Sequence, residues 1–201
     1  MQLLCAPMGS YQTNCYILVT EHGEIIIDPG MGAISWVKEN VTNPLAILNT
    51  HGHFDHVWSN HALQTAFNIP LYCPKEDVFM LQSDPFGLGL EPSTPDVEVE
   101  GDAVFDIGGV RVQYWHFPGH TPGCSAIEIG EMLFTGDFVF AGTIGRVDFP
   151  FSSPEAMQKS IVRFLKFQKD MPVYPGHGEA TTVAREQYTL PQWVMALQKR
   201  Q

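Results

Sequence analysis

Apolar positions along the chain fall in short runs that stop at glycine, proline or aspartate. Tyr16-Ile17-Leu18-Val19 and Glu24-Ile25-Ile26-Ile27 flank His22-Gly23, the pattern of a hairpin whose second arm is rich in β-branched residues. Asp28-Pro29-Gly30 then ends the strand. Residues 31–40 carry a weak helical pattern. Leu45 to Asn49 reads as a buried strand, followed by the polar cluster Thr50-His51-Gly52-His53. From Asp55 to Phe67, Val57, Leu63 and Phe67 with Ala62 and Ala66 fit one helical face. Residues 82–101, rich in Pro, Gly, Asp and Ser, predict a surface excursion with little regular structure, of a length typical of a lid or binding loop. Strands return over 103–107, 110–117, 125–129 and 132–134, with Ile107-Gly108-Gly109-Val110 as a hairpin turn. A helix is expected over 154–168, with Ser153 as N-cap, Pro154 at its first position and Ile161, Phe164 and Leu165 inward. A last short strand is expected over 171–174. Strands and helices alternate in two halves, which predicts a mixed α/β fold.

The length of 201 residues suits one domain over 1–201, and no repeat or Gly/Ser linker divides it. Apolar residues make up 44% of the chain, ample for a core. The formal net charge of −11 argues against holding nucleic acid or an anionic membrane through a diffuse basic surface. No apolar run approaches the roughly 18–20 residues that span a bilayer. The N-terminus lacks the basic and apolar regions of a secretory signal, so a cytoplasmic protein is expected. Cys5, Cys15, Cys73 and Cys124 are widely spaced with no CxxC pair, and are expected as reduced thiols filling the core.

The chemistry concentrates in His51-Gly52-His53-Phe54-Asp55-His56. Three of the eight histidines and a carboxylate lie here within six residues, between a predicted strand and a predicted helix. Neutral imidazole nitrogen and carboxylate oxygen are the donors that Zn²⁺ or Fe²⁺ accepts. Three further segments repeat one pattern of strand end, Gly-rich turn and donor: Pro118-Gly119-His120, Thr135-Gly136-Asp137 and Pro175-Gly176-His177. Five histidines and two carboxylates suffice for two divalent ions if one carboxylate bridges. His22, in a predicted turn, His61, off the four-residue helical spacing from His56, and His116, before a strand-end Phe, are expected outside the set.

This arrangement, from the Asp28-Pro29-Gly30 turn to His177, resembles the metallo-β-lactamase superfamily signature. The segment Gly136-Asp137-Phe138 through Gly145-Arg146-Val147-Asp148-Phe149-Pro150 is similar to the glyoxalase II group and its shorter bacterial relatives. The resemblance implies an αβ/βα four-layer sandwich, two mixed sheets flanked by helices, with the metals at one sheet edge. It implies that His51, His53 and His120 bind a first metal, that Asp55, His56 and His177 bind a second, and that Asp137 bridges them. Zinc is the expected ion, with Fe²⁺ or Mn²⁺ as alternatives. Asp55 is expected also to orient the nucleophile. Arg146 matches a basic position that meets the substrate in the glyoxalase II group, where a bidentate carboxylate pair is available; the alternative is a surface arginine that neutralises Asp148. Asp148 stands where the larger enzymes carry an aromatic hydroxyl, and 24 residues follow His177, so their C-terminal helical domain is expected to be missing.

The activity implied is metal-dependent hydrolysis of a small-molecule thioester, S-lactoylglutathione-like compounds leading. Gly145-Arg146-Val147-Asp148-Phe149 also resembles the persulfide dioxygenase group, which would hold one Fe²⁺ on His53 or His51, His120 and Asp137. Phosphodiester cleavage is a further reading of such a scaffold, which the net charge of −11 argues against for a tRNA or DNA substrate, and the Arg146 segment argues for the thioester branch over lactam hydrolysis. A structural zinc site is closed and usually rich in Cys, unlike this donor set.

Overall fold

The structure, a computed structural model, describes residues 1–198. Its first half runs β1 (Gln2–Met8), β2 (Thr13–Val19), β3 (Glu24–Ile27), α1 (Ala33–Asn40), β4 (Pro44–Leu48), α2 (Phe54–Val57), α3 (Asn60–Phe67), β5 (Leu71–Pro74), a 3₁₀ turn (Lys75–Asp77), α4 (Val78–Ser83) and β6 (Val97–Val99). The second runs β7 (Ala103–Ile107), β8 (Val110–His116), β9 (Ser125–Ile129), β10 (Met132–Gly136), β11 (Val139–Phe140), β12 (Thr143–Ile144), α5 (Pro154–Phe164), β13 (Pro172–Pro175), β14 (Thr181–Thr182), α6 (Val183–Thr189) and α7 (Pro191–Gln198). Two six-stranded mixed sheets result, in the order β1-β2-β3-β4-β5-β6 and β14-β13-β10-β9-β8-β7.

The uninterrupted apolar runs follow from burial on both faces of each sheet. Tyr16, Leu18, Ile25, Ile27, Ala46 and Leu48 face Val112, Tyr114, Ile127, Ile129 and Phe134 of the other sheet. Alternate residues Cys15, Ile17, Ile26 and Ile47 pack outward on Val37, Val57, Leu63 and Leu81 of the first helical layer. Ala126, Leu133 and Val173 pack outward on Ile161, Phe164, Leu190 and Leu197 of the second. The layers are therefore helix, sheet, sheet, helix, the expected four-layer sandwich.

Local departures from expectation have identifiable causes. The helix expected from Asp55 to Phe67 is two helices, α2 and α3. Their junction is pinned to the Asp28-Pro29-Gly30 turn, where Ser59 donates its N–H to the Pro29 carbonyl at 3.0 Å and its hydroxyl to the Gly30 carbonyl at 2.7 Å. The 82–101 excursion contains β6, which pairs parallel to β5. The acidic residues flanking Val97 and Val99 mask that strand. Helix α5 stops at Phe164 because tight i to i−3 bonds at Lys166 and Phe167 replace the α pattern; its N-cap is Ser153, accepting from the Ala156 N–H at 3.1 Å. Among the elements not expected, α6 and α7 pack Leu190 and Leu197 into the same core as α5. Cys5 is exposed on edge strand β1, whereas Cys15, Cys73 and Cys124 are buried free thiols. No helix of the described residues is long and apolar enough to cross a membrane.

Candidate metal centre

The donors lie at one edge of the sandwich, at the C-terminal ends of four strands. This is where backbone groups leaving the sheets are freed from ladder bonding and loops can converge. The loop after β4 carries His51 and His53, and α2 presents Asp55 and His56. The loop after β8 carries His120, Asp137 follows β10, and His177 follows β13. Parallel pairing of β10 with β13, Phe134 opposite Tyr174, brings Asp137 beside His177. The two sheets are tied at this edge. Asn14 donates its amide to the Pro175 and Gly178 carbonyls at 3.0 and 2.9 Å, and the Tyr16 hydroxyl donates to the Pro175 carbonyl at 2.6 Å.

All seven donors named from the sequence come together. His51, His53 and His120 place one ring nitrogen each within 4.8 Å of one another, and so do the donor atoms of Asp55, His56 and His177. Asp137 lies between the groups. Its Oδ1 is 3.3 Å from His56 Nε2, and its Oδ2 is 3.4 Å from His120 Nε2 and 3.5 Å from His177 Nε2. Glycine is required beside this carboxylate, since a Cβ on Gly176 would fall on Asp137 Oδ1. Gly136 adopts a φ of 50°, and its missing Cβ leaves room for Thr50.

The ring orientations are set from behind. His120 Nδ1–H donates to the Arg146 carbonyl at 2.8 Å and His177 Nδ1–H to the Tyr11 carbonyl at 3.1 Å. His56 Nδ1–H donates to Asp28 Oδ2 at 2.9 Å. A proton held on Nδ1 turns the Nε2 lone pair inward, the usual arrangement behind a metal-ligating imidazole. The Nε2 atoms of His51, His53, His56 and His120 and Oδ1 of Asp137 are buried without any hydrogen-bond partner. Five such atoms gathered at one edge of the sandwich would each carry a desolvation penalty if nothing met them. This convergence fits a dinuclear centre of divalent cations with N/O donors.

Charge divides the donors. Burial, then the neighbouring His56, holds His51 well below the usual histidine range, and burial with His120 brings His53 to about 3. His56 and His177 also suffer burial, but the carboxylates win. Asp137, Asp55 and Asp28 hold His56 well above its ordinary value, and Asp137 and Asp55 raise His177 to about 9. Against their own burial, Asp55 is held at about 2 by His56, His177 and Thr13, and Asp137 well below the carboxylate range by His56 and His177.

The other histidines lie apart. His22 is exposed beside Glu21, His61 is half-buried beside Glu91, and His116 Nε2–H donates to the Pro122 carbonyl at 2.9 Å. Three supporting residues were not anticipated. Asp28 anchors His56 and also accepts from the Thr50 N–H at 2.8 Å and hydroxyl at 2.6 Å, next to His51. Thr13 donates to Asp55 Oδ2 at 2.6 Å, and the Tyr11 carbonyl holds His177. Asp28 was visible only as the end of a strand; its φ of 48° is a left-handed conformation uncommon outside glycine, which hints at a special duty.

The donors open onto a cavity of about 470 Å³ walled by Tyr11, Phe54, Phe86, Phe140, Ile144 and Phe149. Phe149 and Phe86 stand edge-on to His53, with ring centroids 5.9 and 5.5 Å away. Arg146 also lines this cavity, its guanidinium 4.1 Å from the Phe149 ring centroid. Its Nε and one terminal nitrogen both donate to Asp148, at 2.9 Å each.

A four-layer sandwich with histidine and aspartate donors gathered at its open edge defines a metal-binding protein of the metallo-hydrolase class. The chain belongs to the metallo-beta-lactamase superfamily, whose family model matches residues 8–177. It is 34% identical to the hydroxyacylglutathione hydrolase GloC of Haemophilus influenzae, over 95% of this chain and 97% of that protein. Among solved structures it is similar to the BLEG-1 B3 metallo-beta-lactamase (TM-score 0.85, 31% identity, 96% of this chain and 99% of that one). It is similar also to TTHA1623 in a di-iron-bound form (TM-score 0.80, 33% identity, 92% and 98%).

Proposed function

We propose that this protein hydrolyses thioesters, with S-lactoylglutathione-like compounds as the leading substrates, at a dinuclear zinc centre. The observation that carries the reading is the set of unpartnered imidazole nitrogens, with Asp137 between two donor groups, at the floor of an aromatic-walled cavity. In this assignment His51, His53 and His120 would hold one cation and Asp55, His56 and His177 the other, with Asp137 shared. Bound cations of this kind supply acidified water and polarisation of a carbonyl oxygen. Zinc suits the mixed N/O donors, and Fe²⁺ or Mn²⁺ are the alternatives; the di-iron form of TTHA1623 keeps iron in view.

The chain's own groups supply the rest. Asp55, fixed by Thr13, keeps a carboxylate facing the cavity where it orients an attacking water. The aromatic wall excludes bulk water and receives the acyl group. A thiolate leaving group, with a parent pKa of about 8.5, departs without a dedicated acid. Arg146 receives a substrate carboxylate by exchange with Asp148. Both side chains are largely exposed, and an exposed ion pair contributes little net stability, so the exchange costs little. The resemblance to GloC supports the thioester class. A cytoplasmic protein acting on a small molecule, without nucleic acid or membrane, completes the proposal.

A mononuclear iron persulfide dioxygenase would need only His53 or His51, His120 and Asp137. The separate anchoring of Asp55 by Thr13, His56 by Asp28 and His177 by Tyr11 favours the two-cation reading. The test is metal analysis of freshly purified protein with parallel assays on S-lactoylglutathione, a persulfide and a β-lactam. Chelator-sensitive release of free thiol is the expected result. Oxygen uptake with the persulfide, or lactam opening without thiol release, overturns the proposal.

A further inference from the structure

One buried carboxylate has no part in this chemistry. Asp77 ends the 3₁₀ turn after β5 and is fully buried. Its Oδ2 accepts from the Gly52 N–H at 2.9 Å and the Thr121 hydroxyl at 2.6 Å, and its Oδ1 accepts from the Gly123 N–H at 2.7 Å. Gly52 lies between His51 and His53, and Thr121 follows His120. Asp77 therefore joins a loop of the first sheet to a loop of the second, and those loops carry the three donors of the first group. Both glycines make room for it: a Cβ on Gly52 would lie 2.9 Å from the Asp77 Cβ, and one on Gly123 would lie 2.8 Å from its Cγ.

We propose that Asp77 is a positioning residue that sets the distance between the His51/His53 loop and the His120 loop, and so the cation affinity of that group. The assignment rests on the metal-centre reading above. All three partners are donors, so the site requires an acceptor at each oxygen. Asparagine has the same shape but must turn an NH₂ towards either Gly123 or the Gly52–Thr121 pair. Facing Gly123, the amide loses one of the two bonds to the His120 loop; facing the pair, it loses the single bond to the His51/His53 loop, and in either case the volume is unchanged. The donors Asp55, His56 and His177 are held instead by Thr13, Asp28 and Tyr11, with no bond to Asp77.

The experiment measures zinc affinity of the full chain against a graded chelator, with His120→Ala and His177→Ala marking which site is which. Glu186→Gln is the control. This is a second fully buried carboxylate, bonded to Gly142, Thr181 and Thr189 away from the seven donors. Asp77→Asn is expected to weaken the site lost in His120→Ala by about 10- to 100-fold, the usual range for a partner behind the ligands. The site lost in His177→Ala is expected to stay at wild-type affinity. Amide hydrogen exchange at whichever of Gly52 and Gly123 the amide group faces is expected to speed up in chelated protein, and Glu186→Gln to leave both sites intact. Unchanged affinity in Asp77→Asn, or equal weakening of both sites in step with thermal stability, overturns the proposal. If Asp77→Asn does not fold, Thr121→Val, which removes one of the three bonds, is read in the same way. A wild-type chain that takes up no zinc overturns the metal-centre reading instead, and exchange at Gly52 and Gly123 still decides whether Asp77 tethers the loops.

Discussion

The His51/His53/His120 group and the Asp55/His56/His177 group share one six-residue segment, yet they meet opposite electrostatic conditions. The first is all imidazole, and burial with mutual repulsion keeps His51 and His53 neutral, lone pairs ready. The second contains a carboxylate and faces Asp137 and Asp28, so in the chain alone protons on His56 and His177 balance the acids. Proximity in sequence does not decide protonation; the sign of the nearest charge does. On the two-cation reading, a cation would enter the first group as an addition and the second as an exchange for protons.

The most severe way to erase this difference is to remove the group both sides share. Asp137→Ala should lose both cations and lower thioester turnover by roughly 10³-fold or more, since several kcal/mol of transition-state stabilisation are involved. Metal analysis with a thiol-release assay checks this, and turnover near wild type would end the two-group description. A smaller change separates the groups. Asp28→Ala removes the anchor of His56 Nδ1 and should weaken cation binding at the second group by about 10- to 100-fold. Chelator competition reads it. A larger loss at the His120 side would mean that Asp28 acts chiefly through Thr50 and His51.

The mildest test varies pH. His177 is raised from the ordinary 6.5 to about 9, so its contribution to the stability of the metal-free chain is complete below pH 6.5 and fades as pH climbs through about 9. Zinc uptake between those values should release protons, and less at pH 10 than at pH 7.5. Titration calorimetry in buffers of different ionisation enthalpy measures the release. Its absence at pH 7.5 would show the second group already deprotonated.

The strand runs at β2, β3, β4 and β8 to β10, the N-cap at Ser153 and the seven side chains that gather at the sheet edge were legible because each is written in contiguous residues: period, capping type, or a histidine or aspartate in or beside a glycine-containing turn. Strand β6 was not, since acidic residues alternate with its valines, and neither was the break between α2 and α3, which depends on Ser59 meeting the Pro29 and Gly30 carbonyls. Arg146 was legible with two readings, substrate contact or neutralisation of Asp148, and in the chain alone it is bonded to Asp148.

From its residues alone this chain declares two apolar layers punctuated by turns and a set of imidazoles and carboxylates suited to divalent cations. Only the folded sandwich decides that these groups meet at one edge, that Asp28, Thr13 and the Tyr11 carbonyl aim them, and that Asp77 spans the loops of both sheets. The reason is range. Donor identity and local period are properties of a few neighbouring residues, whereas the ring orientations and proton affinities arise from partners as many as 166 positions away in the chain.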